Sequence, residues 1–115
     1  MKRQNRLTRT VDYKRVRESG KSFSHPFAVL VYTQNDQEIT RFGVSASKRV
    51  GNAVERNRAK RRIRAVCDTQ LQNIVMGWDV VIFARHKINQ ADHQELSDAI
   101  EGLFKKAGLM IAAKV

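Results

Sequence analysis

Between Asn52 and Ile74 the chain runs without a glycine or a proline, and its apolar residues keep one spacing. With Arg56 set at zero and about 100° added per residue, Ala59, Ile63, Val66 and Cys67 fall in one arc roughly 100° wide. Such an arc is the buried stripe of a helix lying on a core. Arg56, Lys60 and Arg64 border the stripe at i, i+4 and i+8, with Asn57 and Arg61 just beyond and Arg58 and Arg62 round the back. Six of the nine residues from Arg56 to Arg64 are basic, and the only acid in the seventeen residues ending at Arg64 is Glu55. A solvated helix face normally interleaves acids that pair at i,i+4; this one does not. Its guanidiniums repel one another unless a polyanion supplies the counter-charge. At 1.5 Å per residue nine positions span about 12 Å, a few phosphate spacings along a nucleic-acid strand. Arginine dominates, and its planar fork can hold two phosphate oxygens or lie on a base.

The same bias runs through the whole chain. Of 115 residues, 22 are Lys or Arg and 11 Asp or Glu, for a net charge of +11. Residues 1–64 hold seventeen basic and five acidic side chains, and residues 65–115 hold five and six. Nucleic acid is the leading partner and an anionic membrane surface the second. At 42% hydrophobic residues the chain can build a core. No apolar run approaches the ~20 residues of a membrane span, and residues 1–9 lack the apolar stretch of a secretory signal. The single cysteine, Cys67, excludes an intramolecular disulfide framework and a multi-cysteine zinc site. It fits a reducing, cytoplasmic setting and reads as a small core residue.

The length suits one domain, here residues 1–115, with 1–9 as a loose basic arm. A first helix is expected from Thr10, capped by its hydroxyl, to about Glu18, with Tyr13 and Val16 inward and Leu7 packing just before it. Gly20 would end it by adopting positive φ. A short strand around Ser22–Ser24, a strand over Phe27–Thr33, a turn at 34–37 and a strand over Ile39–Ser45 follow. In the last of these Phe42 and Val44 face one way and Arg41, Gly43 and Ser45 the other. The helix that begins near Asn52 is broken by Gly77. Asp79–Ala84 lacks alternation and reads as a strand buried on both faces, with Trp78 closing the core beside it. A last helix starts near Asp92 with Glu95 as capping-box partner, and Leu96, Ala99, Ile100, Leu103 and Phe104 take core spacing. The order α-β-β-β-α-β-α makes an α+β domain, a sandwich of helices on a small mixed sheet.

A protein-borne active site is hard to assemble. His25, His86 and His93 sit in no recognisable motif and read as solvent-facing. Asp92, Glu95, Asp98 and Glu101 recur at i+3 on one helix face and read as a solubilising row, so neither a metal site nor a catalytic residue is expected. The segment Ser45–Val54, with Lys48 and Arg49, joins strand to helix and exposes N–H groups at a helix N-terminus. It lacks the spacing of a phosphate-binding loop, so nucleotide hydrolysis is not expected. Tyr13, Phe23, Phe27, Tyr32 and Phe42 are available as core or as stacking faces for single-stranded bases, Tyr13 first among them. Because the basic residues cover more than half the helix circumference, two surfaces are expected. Arg56, Asn57, Lys60, Arg61 and Arg64 would serve one, and Arg58 with Arg62 the other.

The run GNAVERNRAKRRIR, preceded by FGVSASKRV, resembles the signature of the bacterial ribonuclease P protein component, with its Arg-Asn-Arg core at Arg56–Asn57–Arg58. NRLTRTVDYKRVRESGKS is similar to that family's first helix, DVVIFAR to its late buried strand and ELSDAIEGLFKKAG to its last helix. The resemblance implies a subunit of a ribonucleoprotein whose catalytic RNA cleaves precursor tRNA at the 5′ end of the mature sequence with bound Mg2+, held mainly by the RNA. It implies a central helix and Lys48 facing RNA. It also implies a cleft for the 5′ leader edged by Tyr13 and Arg17 and floored by Val29 and Val31, and a left-handed β-α-β crossover. Arg17 stands where many members carry a second aromatic, so a phosphate contact replaces stacking there. Neither a membrane nor DNA is an expected partner. The alternatives are a ribosomal or RNA-chaperone protein binding structured RNA, and an independent protein ribonuclease.

Overall fold

The computed structural model describes residues 2–111. Helix α1 covers Thr10–Ser19, strands β1, β2 and β3 cover Lys21–His25, Ala28–Gln34 and Arg41–Ala46, helix α2 covers Ala53–Gln70, β4 covers Trp78–Ala84 and α3 covers His93–Lys106. The element order is the expected one. The strands form one mixed sheet in the order β1-β2-β4-β3, with β1/β2 and β2/β4 antiparallel and β3/β4 parallel. A parallel pair needs a crossover, and α2 supplies it.

Alternation along the strands divides the core into two layers. Leu30, Tyr32, Phe42, Val44, Val80 and Ile82 pack with the stripes of α2 and α3, where Ala59, Ile63, Val66 and Cys67 meet Leu96, Ile100, Leu103 and Phe104. On the opposite face Val31 and Val81 pack with Leu7 and with Val16 of α1. Strand β4 is thus covered on both sides, which explains its unbroken apolar run.

Several local expectations change. The cap position of α1 is Arg9, with no side-chain cap, and Thr10 is the first helical residue. Gly20 ends the helix at an ordinary φ of −83°. What it supplies is room: a Cβ there would stand 2.5 Å from the Val16 carbonyl oxygen and 2.7 Å from Val31 Cγ1. Helix α2 stops at Gln70, before a 3-10 turn over Leu71–Asn73. Gly77 lies in the link to β4 at φ +95°, a backbone setting that glycine accepts without strain.

The expected loose arm is docked along residues 3–7. The Leu7 amide donates to the Phe42 carbonyl at 2.8 Å, Asn5 Nδ2 donates to the Thr40 carbonyl at 2.9 Å, and both side chains are buried. A polar segment docks because β3 is an edge strand with unpaired backbone groups, and the arm caps them. Met1 of that arm lies outside the described residues.

Candidate nucleic-acid interface

Helix α2 begins on a capping box. Asn52 Oδ1 accepts from the Glu55 amide at 3.0 Å, and Glu55 Oε1 accepts from the Asn52 amide at 3.3 Å. The one acid of the basic stretch is therefore engaged with backbone. The link from β3 makes a 3-10 turn at Lys48–Val50, with Ser47 Oγ accepting from the Arg49 amide, and leaves Lys48 and Arg49 exposed.

The basic side chains of α2 fall into two kinds. Arg56 donates to the Gly51 carbonyl at 3.0 Å. Arg62 donates to the carbonyls of Ile88 and Ala91 and so pins the connection between β4 and α3 onto α2. Burial holds the Arg62 guanidinium below the usual arginine range, with neighbouring Arg58 adding to the effect and Asp92 opposing it. By contrast, Asn57, Arg58, Lys60, Arg61 and Arg64 are exposed or half-buried, and none has a side-chain partner among the described residues. Each of the two expected surfaces therefore has one guanidinium committed to the fold, Arg56 in one and Arg62 in the other.

On the opposite face of the sheet, Tyr13, Val29 and Val31 come together in one apolar cluster, and Arg17 lies exposed one turn beyond Tyr13. Val31 is nearly covered beneath α1, so the accessible floor is Val29 with Phe83, its cross-strand partner. Phe83 escaped the sequence reading because an unalternating strand does not reveal which face a residue takes. The Tyr13 hydroxyl donates to the Leu7 carbonyl and accepts from the Val44 amide, each at 3.2 Å.

Sequence spacing also missed the anchor beneath this face. Asp79 is fully buried and accepts from Arg41 Nε and Nη2 at 2.9 and 2.7 Å, from Asn35 at 2.9 Å and from Arg15 of α1. Burial pushes its carboxyl up, but hydrogen bonds from Arg41 and Asn35, the Arg41 charge and the Arg15 bond outweigh it and hold the group below the usual carboxylate range. A lone acid opening an apolar strand was the available signal.

Cys67 is buried on the stripe; burial first, then Asp68, pushes its thiol up to about 12, which leaves it inert. His25 and His86 line one cavity of about 290 Å³ with Arg85 and Lys87, and His25 Nδ1 accepts from the Phe27 amide. Among the described residues no three His, Cys, Asp or Glu side chains are grouped to hold a metal ion. Within the acidic row, Glu95 caps α3, Asp98 accepts from Gln94 and Glu101 pairs with Lys105.

Comparison with known proteins places the chain in a family. A family model described as Ribonuclease P matches residues 1–108. The ribonuclease P protein component of Dehalococcoides mccartyi is 40% identical over 113 residues, covering 98% of this chain and 92% of its own. That of Caldanaerobacter subterraneus subsp. tengcongensis is 39% identical over 104 residues, 90% of each. Among solved structures, a Staphylococcus aureus RNase P protein mutant with defective mRNA degradation activity superimposes with a TM-score of 0.86. It is 27% identical and covers 93% of this chain and 91% of its own. The Thermotoga maritima RNase P protein, 24% identical with a TM-score of 0.79 over 88% of this chain and 96% of its own, shares the fold. The chain therefore belongs to the ribonuclease P protein family, as a protein subunit of that tRNA-processing ribonucleoprotein.

Proposed function

We propose that the exposed basic face of α2 binds the catalytic RNA and that the α1 face of the sheet receives the 5′ leader of precursor tRNA. The observation that carries this reading is the set of cations Arg58, Lys60, Arg61 and Arg64, which have no side-chain partner among the described residues, on a helix whose one acid N-terminal to them, Glu55, is spent on a cap. Lys48 and Arg49 extend that set at the helix entrance. Tyr13 offers a ring edge, Arg17 a phosphate contact, and Val29 with Phe83 an apolar floor.

Mechanistically, the protein offsets phosphate repulsion when two polyanions are brought together. Mg2+ belongs to the RNA partner in this scheme, and cleavage of the leader draws on no protein side chain. The setting is cytoplasmic.

The test is reconstitution with the catalytic RNA. Adding the protein should raise affinity for leader-bearing precursor tRNA by about tenfold or more, and much less for mature tRNA. A chaperone would show no leader dependence, and cleavage by the polypeptide alone would overturn the assignment.

A further inference from the structure

A cavity of about 320 Å³ opens at the free edge of β3, where the N-terminal segment, α1 and α2 meet. Its walls are fixed by backbone. The Leu7 amide is bonded to Phe42, Arg6 bridges Phe42, and the Tyr13 hydroxyl clips Leu7 to Val44. Gly43 admits the Tyr13 ring, since a Cβ there would lie 2.6–2.8 Å from its atoms. With the Tyr13 hydroxyl already engaged, the lining residues that carry further side-chain donors are Arg6, Thr8 and Arg64.

None of those three side chains has a hydrogen bond or ion pair with another described residue, and no carboxylate lines the cavity. The contrast with Arg15 and Arg41 is sharp, for both of those are neutralised on Asp79. Two unpaired guanidiniums bordering one space repel unless an anion lies between them. The volume is about ten times a water's share of ~30 Å³, enough for a phosphate with its sugar.

We infer that this cavity takes one phosphodiester of single-stranded RNA, held between Arg6 and Arg64 with Thr8 as a further donor. The inference rests on the RNA-binding reading above and extends it: the N-terminal segment becomes part of the interface, and Arg6 and Thr8 join the contact set. The 5′ leader and an unpaired stretch of the catalytic RNA offer the same chemistry.

The test is Arg6→Gln in the full chain, with affinity measured separately for precursor tRNA, for mature tRNA and for the catalytic RNA. Because the Arg6 side chain bonds to no described residue, the melting temperature should stay at the wild-type value. Affinity should fall about tenfold, and the salt slope should lose about 0.7–0.9. Arg6→Lys should recover part of the loss, since a point charge still holds a phosphate. Lys21→Gln, which removes equal charge from β1, should cost less than about twofold, as expected of a charge with no phosphate in contact. A loss confined to precursor tRNA places the leader in the cavity; a loss for the catalytic RNA places that strand there; either supports the site. Unchanged affinity and slope with both RNAs, or a loss no larger than that of Lys21→Gln, overturns it while leaving the wider reading intact. Wild-type protein that binds neither RNA overturns that reading and the cavity with it.

Discussion

Helices α2 and α3 share a design up to their exposed faces. Each starts on a capping box, Asn52 with Glu55 and Asp92 with Glu95, and each lays an apolar stripe on the same side of the sheet. Outside the stripe they part. Helix α3 has its acid in the first turn and Lys105 and Lys106 in the last, which suits the helix dipole. It also pairs Glu101 with Lys105 at 3.3 Å and Gln94 with Asp98 at 2.8 Å. Helix α2 has four of its six cations, Arg56, Arg58, Lys60 and Arg61, in its N-terminal half, the unfavourable end of its dipole, and no basic residue in its last turn. Folding demands the stripe and the cap, and both helices have them. It does not demand unneutralised charge, and apart from Arg56 and Arg62 the cations of α2 are what the proposed RNA contact accounts for.

The comparison breaks first at the stripe. Phe104→Ala should cost about 3–5 kcal/mol of stability, because the ring is fully buried and meets Phe42 edge-on at 6.0 Å. Chemical denaturation measures it. A loss below about 1 kcal/mol would mean that α3 does not anchor the core.

Asp79→Asn tests the arginines that do have partners. It removes the buried charge that serves Arg41 and Arg15 and should cost about 3 kcal/mol. The sign with pH follows from the lowered carboxyl. Its contribution is full above the unfolded-state value near ~3.9 and is lost as pH falls through the lower folded-state value. The wild-type advantage over the variant should therefore shrink in acid, which parallel denaturation series at neutral and acid pH will show.

Arg61→Glu with Arg64→Glu should weaken RNA binding about a hundredfold, or ~2.7 kcal/mol, yet leave stability unchanged or slightly raised. Filter binding and a thermal melt on the same sample separate the two. If stability fell with affinity, the α2 cations would belong to the fold, as Arg62 does. At the small end, Glu101→Gln should cost no more than ~0.5 kcal/mol and leave RNA affinity alone.

What could be read from the sequence was whatever repeats along one helix. The stripe of Ala59, Ile63, Val66 and Cys67, the core spacing of α3 and the Asp92–Glu95 box are all local periodicities, and each is found as expected. What could not be read depends on partners distant in the chain. Arg62 looks like its neighbours until the fold brings it to carbonyls 26 and 29 residues away. Asp79 and Arg15 are separated by 64 positions. The N-terminal segment reads as loose because it is polar and basic, and only the free edge of β3 gives it a place to bind. Gly20 ends α1 as expected, but not through a positive φ: close packing against Val16 and Val31 excludes a side chain there. Charge on α2 was legible, but which guanidiniums stay free was not.

The most direct measurement is the salt dependence of binding to the catalytic RNA, for the wild type and for a variant with Arg58, Lys60, Arg61 and Arg64 all changed to Gln. If these side chains neutralise phosphates, the slope of log K against log salt should shrink by about 0.7–0.9 for each, near three in all. An unchanged slope, with the variant still folded, would contradict the assignment of this face to RNA.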